Sequence, residues 1–207
     1  MEWITVPEKG FTLREVRTLT NRNVNLSEEL EKSVSAILEK VRDGGDAAIR
    51  ELTKKFDGVE LSDFRVTEEE MQEALAQVTP EFLEVLKEAK ANIETFHKEQ
   101  VRKSWTKNFR DGVELGEQFL PIQRVGVYVP GGRAAYPSTV LMDTVPALAA
   151  GCPSVAMTTP PGKDGKVNPN ILAAAYVAGV KEIYKVGGAQ GIAMLAYGTE
   201  SVEPVFK

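Results

Sequence analysis

A single cysteine, Cys152, and a single histidine, His97, stand in a chain of 207 residues. One cysteine excludes an internal disulfide framework and suits a reducing compartment. One histidine and one cysteine at unrelated positions offer no zinc site, because zinc needs several convergent N, S or O donors. No apolar run reaches the roughly 18 residues of a membrane-spanning helix. Neither sign of charge dominates: 25 basic and 30 acidic residues leave a net charge of −5. That balance argues against nucleic acid or a membrane surface as a partner of the whole chain. The N-terminus lacks the basic and then apolar regions of a secretory leader. These absences predict a soluble, cytoplasmic protein, and 43% apolar residues supply a real hydrophobic core.

The first 105 residues read as helices with clear boundaries. Ser27 can cap a helix that keeps Leu30, Val34, Ile37, Leu38 and Val41 on one face. Gly44-Gly45 breaks it, and Asp46 can cap a second helix ending near Phe56-Asp57-Gly58. Thr67 and Glu70 form a capping box that opens a helix carrying Met71, Leu75 and Val78. Pro80 suits a first helical position, where its missing N–H is not needed. Phe82, Leu86, Ala89, Ile93 and Phe96 then predict an amphipathic helix running to about residue 102. Asp111-Gly112 supplies the positive-φ pair of a two-residue hairpin turn between strands near 105–110 and 113–118.

From residue 124 the texture changes. Val125-Gly126-Val127-Tyr128-Val129, Ser154-Val155-Ala156-Met157-Thr158-Thr159 and Glu182-Ile183-Tyr184-Lys185-Val186 read as strands buried on both faces. They start 29 and 28 residues apart. Ala-rich helical segments at 138–150 and 169–178 lie between them, the latter capped by Asn168, and a third follows at 189–196. That spacing is the βαβ signature of a parallel sheet with right-handed connections. The fold class is therefore α/β: a helical part with a hairpin over 1–123, and a Rossmann-like parallel βα domain over 124–207.

Ligands of open parallel sheets bind outside the carboxyl ends of the strands. Those ends read Val129-Pro130-Gly131-Gly132, Thr159-Pro160-Pro161-Gly162 and Val186-Gly187-Gly188-Ala189-Gln190. Paired glycines before a helix allow close backbone approach, and a helix N-terminus favours anions. The same glycines equally serve tight turns. The G-x-G-x-x-G fingerprint of an ordinary dinucleotide cradle is missing. His97 reads as a helix residue, and Cys152 as a small buried thiol with no neighbouring base to activate it. Neither is assigned a catalytic role.

The run Val125-Gly126-Val127-Tyr128-Val129-Pro130-Gly131-Gly132, with Ala134, Tyr136-Pro137-Ser138 and Val140-Leu141-Met142, resembles histidinol dehydrogenase. So does Val186-Gly187-Gly188-Ala189-Gln190-Gly191-Ile192-Ala193, continuing through Ala196-Tyr197-Gly198-Thr199-Glu200. In the first half, Gly44-Gly45-Asp46-Ala47-Ala48 after Arg42, Phe56-Asp57-Gly58-Val59, and Phe96-His97 with Gln100 are similar to the same family. Gly191 departs from it, since the family usually has alanine there, and glycine slightly weakens the helix.

The resemblance implies an NAD- and zinc-dependent dehydrogenase that oxidises L-histidinol to L-histidine in two steps, the last of histidine biosynthesis. It implies NAD contacts from Tyr128, an aromatic face with a hydroxyl, and from Gln190, a two-sided amide beside a helix start. A third cofactor contact, an asparagine in Gly-Pro-Gly-Asn, lies beyond Lys207 in the family, as do the catalytic Glu-His pair and the zinc ligands. The chain is thus expected to be an inactive N-terminal portion, with no catalytic and no metal-binding residue of its own. A homodimer is also implied, because in the family the tail of one subunit helps complete the other's site. On this view Leu30, Leu38, Phe82, Leu86 and Ile93 are left partly bare and promote self-association. Three other readings stay open: a sister dehydrogenase acting on another small alcohol, a naturally short, non-catalytic binding or scaffold protein, and a purely structural fragment that binds nothing.

Overall fold

The structure is a computed structural model and describes residues 9–12, 15–16, 27–131 and 135–207. It divides into two units, 1–34 and 35–207. In the first, Ser27 accepts the Leu30 N–H on its hydroxyl at 3.2 Å, as an N-cap does. Leu30 and Val34 are exposed.

The second unit is built on a parallel sheet. Helix α1 (Glu28–Asp57) is sharply kinked at Gly45, whose φ of 49° only glycine adopts readily. Helices α2 (Glu68–Ala76) and α3 (Pro80–Lys98) follow. A hairpin, β1 (Trp105–Arg110) and β2 (Val113–Glu117), leads into β3 (Arg124–Tyr128). Then come α4 (Pro137–Ala149), β4 (Ser154–Thr158), α5 (Pro169–Ala178), β5 (Glu182–Tyr184) and α6 (Gly188–Tyr197). Strands β3, β4 and β5 lie side by side in that order, all parallel.

Side-chain alternation along the strands feeds two cores. Val125, Val155, Met157 and Ile183 face α4 and α5, backed by Met71 and Ala74 of α2 and Leu86 of α3. Ala156 and Tyr184 face the other way, against Met194 and Leu195 of α6 and Ile49 and Leu52 of α1. Residues on both sides of position 123/124 therefore share one core. Each edge of the sheet is paired. Residues 64–66 run antiparallel beside β5, where Val66 donates to the Ile183 carbonyl at 2.9 Å. Residues 205–207 run beside β3 in its own direction: Phe206 donates to the Arg124 carbonyl at 2.9 Å and Gly126 to Lys207 at 2.8 Å. No helix among the described residues is long and apolar enough to cross a membrane.

The capping box of Thr67 and Glu70 is present, and Thr79 caps α3 ahead of Pro80. Four expectations need correction. Asp46 does not cap its helix by itself: its N–H donates to Glu200 Oε2 at 2.7 Å, and its carboxylate accepts from Ser201 Oγ at 2.9 Å. The cap is thus tertiary, supplied by a residue 154 positions away. Helix α3 stops at Lys98, short of residue 102, and Phe96 is 64% exposed, its ring meeting the edge of His97. At the hairpin turn only Gly112 takes positive φ. A register irregularity between Asn108 and Arg110 replaces the second positive-φ residue of a two-residue turn. Finally, Leu86 is buried, Phe82 and Ile93 pack half-buried on the first core and Leu38 on the second. Helices α4 and α5 cover the face of α3 that was expected to be bare.

Candidate functional site

The helices alternate in how they begin. Thr67, Thr79 and Asn168 cap α2, α3 and α5 with their side chains. Helices α4 and α6, which follow β3 and β5, open without any side-chain cap. Both uncapped ends lie past the carboxyl ends of strands, where free N–H groups and the helix dipole favour an anionic ligand. The order of strands reverses at the same place. From β3 the chain steps to β4 and β5, then returns through α6 to residues 205–207 on the opposite flank of β3. Such a reversal is the usual ligand crevice of an open parallel sheet.

Tyr128 ends β3 half-buried, and its hydroxyl accepts the Gly188 N–H at 3.4 Å. Gln190 sits in the first turn of α6 with 2% of its surface exposed. Its amide folds back over Gly188, so that a Cβ there would lie 2.7 Å from Gln190 Oε1. That crowding, together with a φ of 60°, explains the glycine. Among the described residues the Gln190 amide has no hydrogen-bond partner. The two side chains singled out in the sequence thus converge on one glycine.

The other glycines have a packing duty. Pro160, past the end of β4, is wedged between Gly131 and Gly187. A Cβ on Gly131 would meet Pro160 Cγ at 2.9 Å, and one on Gly187 would meet Pro160 Cβ at 2.6 Å. Gly191 is similar: a Cβ would lie 2.8 Å from the Val186 carbonyl oxygen. Gly191 therefore allows close approach of α6 to the backbone just past β5. The second glycine of the first pair, Gly132, and Arg133 and Ala134 lie outside the described residues.

Sequence reasoning passed over Thr159. It is fully buried beside Gly131, and its hydroxyl has no partner. An orphaned buried hydroxyl is uncommon. Its segment, Thr159-Pro160-Pro161-Gly162, reads in the sequence as one of the three strand ends on the ligand side of the sheet, with no role given to the hydroxyl itself. A cleft of about 220 Å³ opens beside Gly131, lined also by Pro160, Lys166 and Asn168. His97 and Cys152 are elsewhere: His97 Nδ1 pairs with Gln100 Oε1 at 2.7 Å near the end of α3, and Cys152 is buried before β4 begins.

The titratable cluster of the sheet lies at its opposite end. Arg124, Ser154 and Glu182 start β3, β4 and β5; Arg124 pairs in register with Ser154, while Glu182 aligns with Ala156, two residues further on. Arg124 Nη1 donates to Glu182 Oε2 at 2.6 Å and to Ser154 Oγ at 3.0 Å. The guanidinium holds the Glu182 carboxyl below the usual carboxylate range. Burial and the neighbouring Glu182 carboxylate raise the Tyr184 hydroxyl well above its ordinary value. This cluster ties the starts of the three strands together, at the end of the sheet away from Tyr128.

A profile of histidinol dehydrogenase matches residues 20–207. The chain belongs to the histidinol dehydrogenase family. It is 53% identical over 181 residues to the histidinol dehydrogenase of Geobacillus kaustophilus, covering 87% of this chain and 43% of that protein. With the enzyme of Listeria innocua it shares 52% over 183 residues, again 43% of the relative. The crystal structure of histidinol dehydrogenase from Elizabethkingia anophelis superposes with a TM-score of 0.86 at 38% identity, covering 94% of this chain and 45% of that one. The chain thus spans less than half the length of the histidinol dehydrogenases it matches.

Proposed function

We propose that this chain is the N-terminal portion of an NAD-dependent oxidoreductase converting L-histidinol to L-histidine, and that it carries part of the cofactor platform. The observation that carries the reading is the convergence of the Tyr128 hydroxyl and the unpartnered Gln190 amide on Gly188, at the uncapped start of α6. NAD fits that mouth by chemistry. The Tyr128 ring offers a face for stacking, the Gln190 amide can both donate and accept, and the first-turn N–H groups of α6 suit phosphate oxygens. NAD, when bound, accepts hydride from the substrate alcohol; the chain's own residues grip and orient the cofactor.

Zinc does not fit in the same way. Among the described residues no three His, Cys, Asp or Glu side chains come together as a metal site, and no step is assigned to a metal here. The single histidine, on α3, is not placed to move protons at the mouth. The chain by itself is therefore proposed to be inactive, and to pair as a homodimer.

Titration of NAD by calorimetry against wild type and Tyr128→Ala tests the platform. The expected outcome is weak binding to wild type and at least about fivefold weaker binding to the variant, a loss of roughly 1 kcal/mol as for one hydrogen bond. Equal affinity in the two proteins removes Tyr128 from the site.

A further inference from the structure

Three joints fix which end of the sheet the tail of α1 occupies. Asp46, at the kink, is held by Glu200 and Ser201, just past the end of α6. Helix α6 runs back from the carboxyl ends of the strands, and residues 205–207 after it begin beside Arg124, so this first joint lies where the strands start. The second half of α1 leaves it in the opposite direction and ends at Asp57. Residues 64–66 then run antiparallel beside β5, with Lys185 donating to the Phe64 carbonyl at 2.7 Å. The connection over 58–63 therefore lies past the carboxyl end of β5. There Val59 and Leu61 meet the loop after β4: a Cβ on Gly165 would lie 3.4 Å from each. The tail of α1 is on the mouth side of the sheet, as Gly188 is.

Ile49, Thr53 and Asp57 follow one another at helical spacing on one face of α1. Ile49 is buried in the second core, which Val186 shares, and Thr53 is buried one turn on. One turn further, Asp57 is half-buried, and its Oδ2 is closed off without a hydrogen-bond partner. Burial pushes its carboxyl above the ordinary carboxylate value. The lysines of the same turn are engaged elsewhere, Lys54 with Glu60 and Lys55 over the Phe56 ring. A carboxylate at a helix end that the dipole makes negative, with no donor, is costly to keep. A metal is a poor occupant, because among the described residues no three acidic, histidine or cysteine side chains gather. A hydroxyl donor suits it. In nucleotide-binding parallel sheets an acidic side chain near the mouth takes the 2′-hydroxyl of the adenosine ribose, and its charge disfavours a 2′-phosphate. We propose that Asp57 receives the adenosine ribose 2′-hydroxyl of the dinucleotide and makes the site selective for NAD over NADP. The proposal rests on the NAD reading above and adds to it a residue that sets cofactor choice.

Calorimetric titration of NAD and of NADP against the full chain, as wild type, Asp57→Asn and Asp57→Ser, tests it, with far-UV circular dichroism to check folding. The wild type is expected to bind NAD about tenfold or more tightly than NADP. Both variants are expected to lose most of that preference, Asp57→Asn chiefly by gaining affinity for NADP. Asparagine keeps the shape of the side chain and serine shortens it, so a folding defect in one leaves the other to be read. Variants that keep the wild-type preference overturn the role of Asp57 and leave the NAD reading intact. Equal weakening of NAD and NADP shows a merely structural aspartate and likewise overturns it, as does a wild type that binds the two cofactors alike. A wild type that binds no NAD overturns the cofactor reading itself, and this proposal with it.

Discussion

Glu182 shows how much one carboxylate can depend on its neighbours. Arg124 and the Tyr184 hydroxyl both donate to it, and hydrogen bonding to Arg124 is the main reason its pKa is lowered. A carboxyl with a depressed folded pKa stabilises the fold above its unfolded pKa, and that stability is lost as pH falls through the folded one. Urea unfolding of wild type should therefore show falling stability below about pH 4.5, the ordinary glutamate value. In Glu182→Gln part of that acid dependence should be gone, while stability at neutral pH is lower because Arg124 is left with a weaker partner. An unchanged acid slope would assign the dependence to other carboxylates. At this scale the sequence was legible where chemistry and motif coincided. Tyr128 and Gln190 were both singled out by motif, and both lie against Gly188, while their part in holding NAD rests on the titration proposed above. Thr159 was not, because a hydroxyl buried at a strand end looks the same in sequence as a strand threonine that hydrogen-bonds its neighbour, as Thr158 does to Val186.

Among the elements, α1 is the clearest case of local and tertiary signals combined. Gly44-Gly45 announced the break, and the kink falls at Gly45. Asp46 announced a cap, yet the oxygen that receives its N–H belongs to Glu200. Sequence spacing could not show this, since the two motifs are joined only by folding. The joint is tight: a Cβ on Gly45 would lie 2.3 Å from Glu200 Oε2. Gly45→Ala is therefore expected to lose roughly 1–3 kcal/mol, from a positive φ and a displaced carboxylate together. Glu200→Ala should lose about 1 kcal/mol, the usual worth of a helix cap. Thermal unfolding of both single variants and the double checks the coupling, with a combined loss smaller than the sum expected if the two share one contact. Strictly additive losses would separate them. The strands and their helices were legible from a spacing near 30 residues, and each boundary lies within about two residues of expectation, the largest difference being the end of β5 at Tyr184 rather than Val186.

For the whole molecule, the family, the α/β architecture and the parallel sheet followed from the sequence, whereas the shared core of the helical half and the βα repeats did not. Amphipathic helices state that one face is buried without stating against what. Two outcomes are expected of the purified chain as a unit. Incubated with histidinol and NAD, with or without added zinc, it should form no NADH above background, because among the described residues no His, Cys, Asp and Glu side chains gather as a metal site and the single histidine lies on α3. Absorbance at about 340 nm follows this, and enzyme-dependent growth of the signal would contradict it. After dialysis it should hold well under one zinc per chain, which elemental analysis measures; near-stoichiometric zinc would show a ligand set not recognised among these residues. The mouth itself has a mechanical consequence. Pro160 touches both Gly131 and Gly187 so closely that neither neighbour has room for a side chain. It acts as the keystone of an arch whose two flanks are the loops after β3 and β5. A side chain on either glycine would have to displace the keystone, so the spacing of Gly131 and Gly187 is set by a single proline ring.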